Sequence, residues 1–229
     1  MGLGTAALGK VVEESHASGS GSPHLAAWSS FVGATIEWYD FFLYGTAAAL
    51  IFNRVFFPSM DPLVGTIAAF STFTIGFIGR PVGGILFGHF GDKIGRKTML
   101  LATIVMMGVP SVLIGFIPSY ESIGYWGAVL LGLMRFVQGI AVGGEWGGAV
   151  LMAVEHAPKG KKGLFGSLPQ MGVGGGLVLS SLVMLAVTKL PEADMLSWGW
   201  RIPFFLSIVL LFVGVFIRAK VPESPEFAR

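Results

Sequence analysis

Long apolar segments constrain the fold of this chain more than any other feature of its sequence. A helix needs about 20 mostly apolar residues to cross the hydrocarbon of a bilayer. Only 12% of the 229 residues are charged, about half the usual share in a soluble domain. Glycine is frequent in the apolar runs, and the alternation typical of a membrane β-strand is absent from them. We therefore predict an all-α membrane protein with six transmembrane helices, over residues 28–52, 65–90, 98–117, 123–154, 164–188 and 202–218.

The same pattern divides the chain into three parts. Residues 1–27 are polar and rich in serine, glycine and alanine, and they lack the basic region and apolar run of a secretory signal. We interpret them as a flexible cytoplasmic N-terminal tail. Residues 28–218 form the predicted six-helix bundle, and residues 219–229 begin a cytoplasmic linker.

Basic residues in the loops predict the orientation, because cytoplasmic loops of membrane proteins carry an excess of lysine and arginine. The loops after the second and fourth segments and the chain after the sixth are basic, whereas the opposite loops are not. We therefore expect both ends of the chain in the cytoplasm. The basic residues on the predicted cytoplasmic side are Lys93, Arg96, Lys97, Lys159, Lys161, Lys162, Arg218 and Lys220.

Five ionisable residues lie inside the predicted helices and away from their ends, and a charge within the membrane indicates a functional role with a nearby partner. They are Glu37, Asp40, Arg80, Arg135 and Glu145. The helical rise puts Glu37, Arg80 and Glu145 at roughly 13–15 Å from the cytoplasmic helix ends. It puts Asp40 at roughly 18 Å from the cytoplasmic end and Arg135 at roughly 18 Å from the outer end, so both lie close to the midplane. We expect two layers of charge, with Asp40 beside Arg135 and the other two acids around Arg80.

Three carboxyl groups against two guanidinium groups leave one carboxyl without a partner. A medium of low dielectric favours the neutral form of a carboxyl group, whereas a neighbouring arginine favours the ionised form. Such a set is suited to exchanging one proton, so Asp40, Glu37 and Glu145 are the candidates for proton coupling. The alternative is that all five charges are structural ion pairs that tie the helices together.

The loop between the second and third segments reads "GHFGDKIGRK", from Gly88 to Lys97. It fits the G-x-x-x-D-[RK]-x-G-[RK]-[RK] signature of the major facilitator superfamily and lies where that family has it. The resemblance implies a cytoplasmic gate in which an acidic group at a helix end pairs with a basic group one turn away. The gate residues are Gly88, Asp92, Gly95, Arg96 and Lys97.

Further motifs extend this resemblance from residue 29 to residue 227. "RFVQGIAVGGEWGGA" resembles the R-x-x-Q-G pattern of the fourth helix in that family, and "VPESPEF" resembles the segment that follows the sixth helix in sugar porters. Together with "GATIEWYDFFLYGTAA", these pieces resemble the metabolite:proton symporter branch, whose members carry small carboxylates or zwitterions. The resemblance implies a secondary transporter that works by alternating access.

Transporters of this kind have twelve helices in two halves, with the solute held between the halves near the midplane. This chain is similar to the N-terminal six-helix half, which implies one half of a major facilitator fold and a C-terminal six-helix half as its partner. The lipid bilayer, a small-molecule metabolite and a proton are the other partners that the resemblance implies.

The resemblance also assigns roles to residues of the first, second and fourth helices. In related proton-coupled porters an acid on the first helix works with an arginine on the fourth, and Asp40 and Arg135 occupy comparable positions. Arg80 and Arg135 are candidates to bind a solute carboxylate, since a guanidinium group offers a planar fork of donors. Further hydrogen bonds to the solute are expected from Gln138, Tyr39 and Tyr44.

Other functions are less well supported by the sequence. A membrane sensor or scaffold that uses the same half-fold without moving solute remains the alternative. The histidines form no metal-ligand pattern, so neither an enzyme, a metal site nor a cofactor is predicted. The chain has no phosphate-binding loop for ATP. A net charge of +2 without a basic stripe argues against nucleic acid as a partner.

Overall fold

The computed structural model describes residues 23–221, which are nearly all helical. Five of the long helices in this range are long and apolar enough to cross a membrane. The first long helix is long enough, but its acidic and hydroxyl-bearing residues lower its mean hydropathy. The six long helices are α1 (Pro23–Ala47), α2 (Pro62–Ile94), α3 (Arg96–Phe116), α4 (Trp126–Glu155), α5 (Lys162–Val187) and α6 (Ile202–Lys220). The predicted all-α architecture is confirmed.

Helix α1 is already helical at Pro23, the first residue that the structure describes, whereas the predicted bundle begins at residue 28. Ala26 and Ala27 are buried, so this part of the helix packs within the bundle although it precedes the apolar run. Residues 1–22, which hold most of the predicted tail, lie outside the described residues. At its other end α1 continues through a π-helical segment, Ala48–Phe52, into a short helix, Asn53–Phe56.

The connections between helices follow from local sequence. The side chain of Asp61 caps α2 by accepting a hydrogen bond from the backbone N–H of Leu63 at 2.9 Å, and Pro62 occupies the first helical position. Gly95 joins α2 to α3 with a φ of 99°, in the left-handed region that favours glycine. The side chains of the gate residues Asp92 and Arg96 lie outside the described part of the structure, so the predicted gate stays a prediction.

Glycine residues bring α2 and α4 into backbone contact. A Cβ atom at Gly139 would overlap the carbonyl oxygen of Gly76, and a Cβ atom at Gly143 would overlap that of Arg80. Small residues of this kind let membrane helices associate closely. Helices α1 and α5 meet in the same way, since a Cβ atom at Gly176 would lie 2.5 Å from the backbone nitrogen of Tyr39.

Aromatic side chains form the core at the end of the bundle opposite Gly95. Tyr44, Phe52, Phe56, Trp200 and Phe204 are fully buried and contact one another in a largely edge-to-face arrangement. The outer surface, in contrast, is lined with exposed large apolar side chains. Such a surface marks contact with lipid or with another apolar element.

Candidate functional site

A buried ion pair joins α1 to α4, as the matched depths of its two residues predict. Nη1 of Arg135 lies 2.5 Å from Oδ2 of Asp40, and both side chains are almost completely buried. The other carboxylate oxygen of Asp40 accepts a hydrogen bond from the hydroxyl of Ser111 on α3. The charge of Asp40 is therefore compensated within the protein.

Gln138 extends this network along α4 and back to α3. Its Oε1 accepts a hydrogen bond from Nη1 of Arg135 at 2.6 Å. Its Nε2 donates to the hydroxyl of Ser111 at 2.7 Å and to the carbonyl of Met107 at 3.1 Å. Both ends of the Gln138 amide are thus occupied, and the network holds the Arg135 side chain in one orientation.

The two tyrosines predicted to contact solute make hydrogen bonds within the protein. The Tyr44 ring lies beneath Arg135, with the guanidinium carbon 3.9 Å from the ring centroid, and its hydroxyl is 2.6 Å from that of Thr72. The Tyr39 hydroxyl donates to the carbonyl of Pro203 at 2.7 Å. Both side chains are buried, and neither lines the cavity beside Arg135. Tyr44 therefore supports Arg135, and direct contact of either tyrosine with solute stays a prediction.

A cavity of about 390 Å³ lies beside this network, between α1, α2, α3 and α4. A wider opening of about 730 Å³ shares Glu37, Trp38 and Arg80 with it and leads outward between α1, α2 and α4. The polar side chains that line the inner cavity are Glu37, Asp40, Arg80, Arg135 and Gln138, and its aromatic side chains are Trp38, Phe41, Phe73 and Phe77. The inner cavity thus combines charged groups with an aromatic wall.

Glu37 and Arg80 face this cavity with opposite charges but do not form an ion pair. Glu37 is 7% exposed, and within residues 23–221 its carboxylate has neither an ion pair nor a hydrogen-bond donor. Arg80 is half-buried, and its guanidinium carbon lies 4.3 Å from the ring centroid of Phe77 and 5.9 Å from that of Phe41. The N–H groups of Arg80 are therefore available to an anion in the cavity.

Glu145 does not join Arg80 in the layer that the helical rise predicts. It pairs instead with Arg218 of α6, through Oε1 and Nη2, and both side chains are buried. Nη1 of Arg218 also donates to the carbonyl of Leu100 at 2.6 Å. The expected count of three acids against two guanidinium groups is thus wrong. A third guanidinium lies in the bundle, because α6 continues to Lys220 and keeps Arg218 within the helix.

Arg218 and Ser111 are the members of these networks that sequence reasoning missed. Arg218 is the last residue of the apolar sixth segment, close to Lys220. In the sequence it therefore resembles a cation of the loop that follows. Helix periodicity offered a signal that Arg218 faces the bundle. It lies four residues after Gly214, on the same face of the helix, and Gly214 is also buried. Ser111 is one of three hydroxyl-bearing residues in α3, with Thr98 and Thr103, and this pattern has no distinctive meaning. Among the described residues no cluster of histidine, aspartate or glutamate is arranged to hold a metal ion.

Comparison with known families identifies the chain. The model of the sugar (and other) transporter family matches residues 25–229. The chain belongs to this family, within the major facilitator superfamily.

Among curated relatives, this chain is 54% identical over 203 residues to the shikimate transporter of Escherichia coli K12, a match that covers 88% of the chain and 46% of the relative. It is 42% identical over 203 residues to the proline/betaine transporter of the same strain, covering 88% of the chain and 40% of the relative. The chain spans about half the length of the curated relatives it matches.

The fold matches solved transporters of the superfamily. The proton:xylose symporter XylE bound to 6-bromo-6-deoxy-D-glucose superposes with a TM-score of 0.76 at 20% identity, over 91% of this chain and 46% of XylE. At this level of identity the likeness concerns the fold alone. It confirms the prediction of one half of a major facilitator fold.

Proposed function

We propose that the chain forms one half of a proton symporter for a small carboxylate or zwitterionic metabolite. One observation carries the proposal: the cavity holds a carboxylate, Glu37, and a guanidinium, Arg80, that are not paired with each other. Next to them, the Asp40–Arg135 pair is already neutralised. The cavity therefore offers one group for a proton and one for an anion.

Arg80 is the residue that binds the solute carboxylate. Its planar fork of donors fits a carboxylate, and its ring contacts leave the N–H groups accessible. Arg135 is committed to Asp40 and Gln138, so it receives a solute only after Asp40 releases it. The relatives named for shikimate and for proline and betaine support this substrate class, because all three solutes carry a carboxylate.

Proton and anion binding are coupled through the charge of Arg80. The guanidinium of Arg80 interacts electrostatically with Glu37. When a solute carboxylate neutralises Arg80, the ionised form of the buried Glu37 loses a favourable interaction and its protonation is favoured. By thermodynamic linkage, a protonated Glu37 in turn favours binding of the anion. The proton and the solute therefore bind together.

Transport requires a second half of the transporter, with the solute between the halves near the midplane. We propose that the two halves rock about this site in alternating access, with both ends of this chain in the cytoplasm of a bacterial inner membrane. The motif from Gly88 to Lys97 then closes the cytoplasmic side.

The test is uptake by the full-length protein in proteoliposomes with an imposed proton gradient, using labelled shikimate, proline and betaine as probes. We expect accumulation of at least one probe, and its collapse on addition of a protonophore. Glu37→Gln is expected to abolish accumulation against a gradient but to retain exchange of labelled for unlabelled solute, because solute binding survives without the proton step. Arg80→Gln is expected to lose both activities.

Glu121→Gln is the matched control, since Glu121 is an exposed carboxylate on a short helix outside the bundle core. Accumulation that persists in Glu37→Gln would contradict the proton assignment. Binding of a probe without any flux would instead favour the membrane sensor.

A further inference from the structure

A buried guanidinium connects the cytoplasmic ends of four helices. Arg218 of α6 pairs with Glu145 of α4 and donates to the carbonyl of Leu100 on α3. It also packs on the backbone of α1 at Gly33, so closely that a Cβ atom there would overlap Nη2. A positive charge is thus held directly against α1 at a buried position.

Gly33 lies four residues before Glu37, so the two positions share one face of α1. Glu37 accordingly interacts electrostatically with both Glu145 and Arg218. The cluster is therefore two carboxylates around one guanidinium, and only Glu145 is in ion-pair contact with it.

Most of the helices that pack on α1 carry further charged groups. Arg80 of α2 and Asp40 of α1 interact with it electrostatically, and the charge of Asp40 is compensated by Arg135. Lys97 at the start of α3 donates to the carbonyl of Ala219 and lines a small cavity with Arg218. Helix α5 carries no charged side chain after Lys162.

We propose that Arg218 is a positioning residue for the proton site, and that its pairing with Glu145 sets the pH at which Glu37 binds its proton. This inference rests on the proposed function, in which Glu37 carries the proton. While Glu145 pairs with Arg218, the negative charge of Glu145 opposes the stabilisation that the guanidinium gives to an ionised Glu37. A movement that separates α4 from α6 exposes the guanidinium to Glu37 and releases the proton, since an opposite charge nearby favours the ionised carboxyl. The ion pair thereby links helix movement to proton release.

The test is an infrared titration of the full-length protein in lipid, which follows the carbonyl stretch of protonated carboxyl groups as the pH is raised. The Glu37 band is identified by its loss in Glu37→Gln. In Glu145→Gln, the loss of a neighbouring negative charge and the uncompensated charge of Arg218 are both expected to lower the titration midpoint of that band, by about one pH unit or more. In the double variant Glu145→Gln/Arg218→Gln, which also removes the charge of Arg218, the midpoint is expected to rise above that of Glu145→Gln.

Two glycine variants test the role of Arg218 without removing a charge. Gly33→Ala places a methyl group against Nη2 of Arg218 and is expected to push the guanidinium away from α1, which raises the midpoint. Gly45→Ala is the matched control on the same helix, since its Cβ atom has no neighbour within 4 Å, and its midpoint is expected to stay unchanged. This comparison remains decisive if Glu145→Gln does not fold.

A merely structural role for Arg218 predicts less stable variants with unmoved midpoints, and that result would overturn the proposal. So would the persistence of every carboxyl band in Glu37→Gln. The titration needs no transported solute, so its outcome is separate from that of the uptake assay. Coupled uptake with unshifted midpoints contradicts the role of Arg218, whereas uptake that is insensitive to protons contradicts the proposed function.

Discussion

Two ion pairs in this chain contain the same chemical groups in opposite surroundings. The side chains of Arg135 and Asp40 are 5% and 3% exposed, whereas those of Arg54 and Glu192 are 53% and 67% exposed. A buried charge that loses its partner keeps the whole cost of its desolvation, whereas water compensates an exposed one. The contribution of each charged residue to the free energy of unfolding therefore depends on its burial rather than on its residue type.

Asp40→Asn is expected to lower the free energy of unfolding of the full-length protein by about 3–5 kcal/mol, because Arg135 remains buried without a counter-charge. Glu192→Gln is the matched control and is expected to cost at most about 1 kcal/mol. Denaturant unfolding in detergent measures both variants. Equal losses in the two would contradict the burial of the Asp40–Arg135 pair.

At the scale of helices, contact between α2 and α4 depends on which glycine faces the partner. A Cβ atom at Gly83 would overlap the carbonyl oxygen of Ile140, whereas one at Gly84 would lie 3.8 Å from the carbonyl oxygen of Gly143. The second distance is an ordinary van der Waals contact. Gly83 therefore has no space for a side chain, whereas the neighbouring Gly84 has space for a methyl group.

Gly83→Ala is expected to destabilise the full-length protein by about 1–3 kcal/mol, since the methyl group forces two backbones apart. Gly84→Ala is expected to leave the stability nearly unchanged. Thermal unfolding of the two variants side by side gives the comparison. A stable Gly83→Ala protein would show that α2 and α4 do not meet at this surface.

The helices and the central ion pair were predictable, and the surrounding contacts were not. Apolar length locates a transmembrane helix, and the helical rise alone brings Asp40 to the depth of Arg135. The pairing of Glu145 depends on which way the end of α6 faces, and depth does not specify that direction. The packing of α1 before residue 28 depends on buried alanines, which are neither strongly apolar nor polar in sequence.

At the scale of the whole molecule, the loops at the two ends of the bundle differ in charge. The connection between α4 and α5 is rich in lysine, whereas the short helix before α4 carries Glu121. The excess of basic residues predicts that the first connection is cytoplasmic and the second is external. The chain contains no cysteine, so an introduced thiol can be labelled without background from this part of the protein.

In intact cells that produce the full-length protein, free of other cysteines, a membrane-impermeant maleimide is expected to label Glu121→Cys. Lys159→Cys is expected to react only after the cells are permeabilised. Both positions are exposed, so accessibility within the fold is matched. The reverse pattern of labelling would invert the orientation proposed for the bundle.

The glycine contact between α2 and α4 has a consequence for which solutes can be recognised. The backbone of Arg80 touches Gly143, and the backbone of Arg135 lies against Gly76, where a Cβ atom would be 3.2 Å from the Arg135 carbonyl oxygen. Arg80 and Arg135 lie on two helices that are in backbone contact. The distance between their backbones is therefore set by this contact. Under the proposed function, adjustment to solutes of different length depends on the arginine side chains and on the elements that close the opposite wall of the cavity.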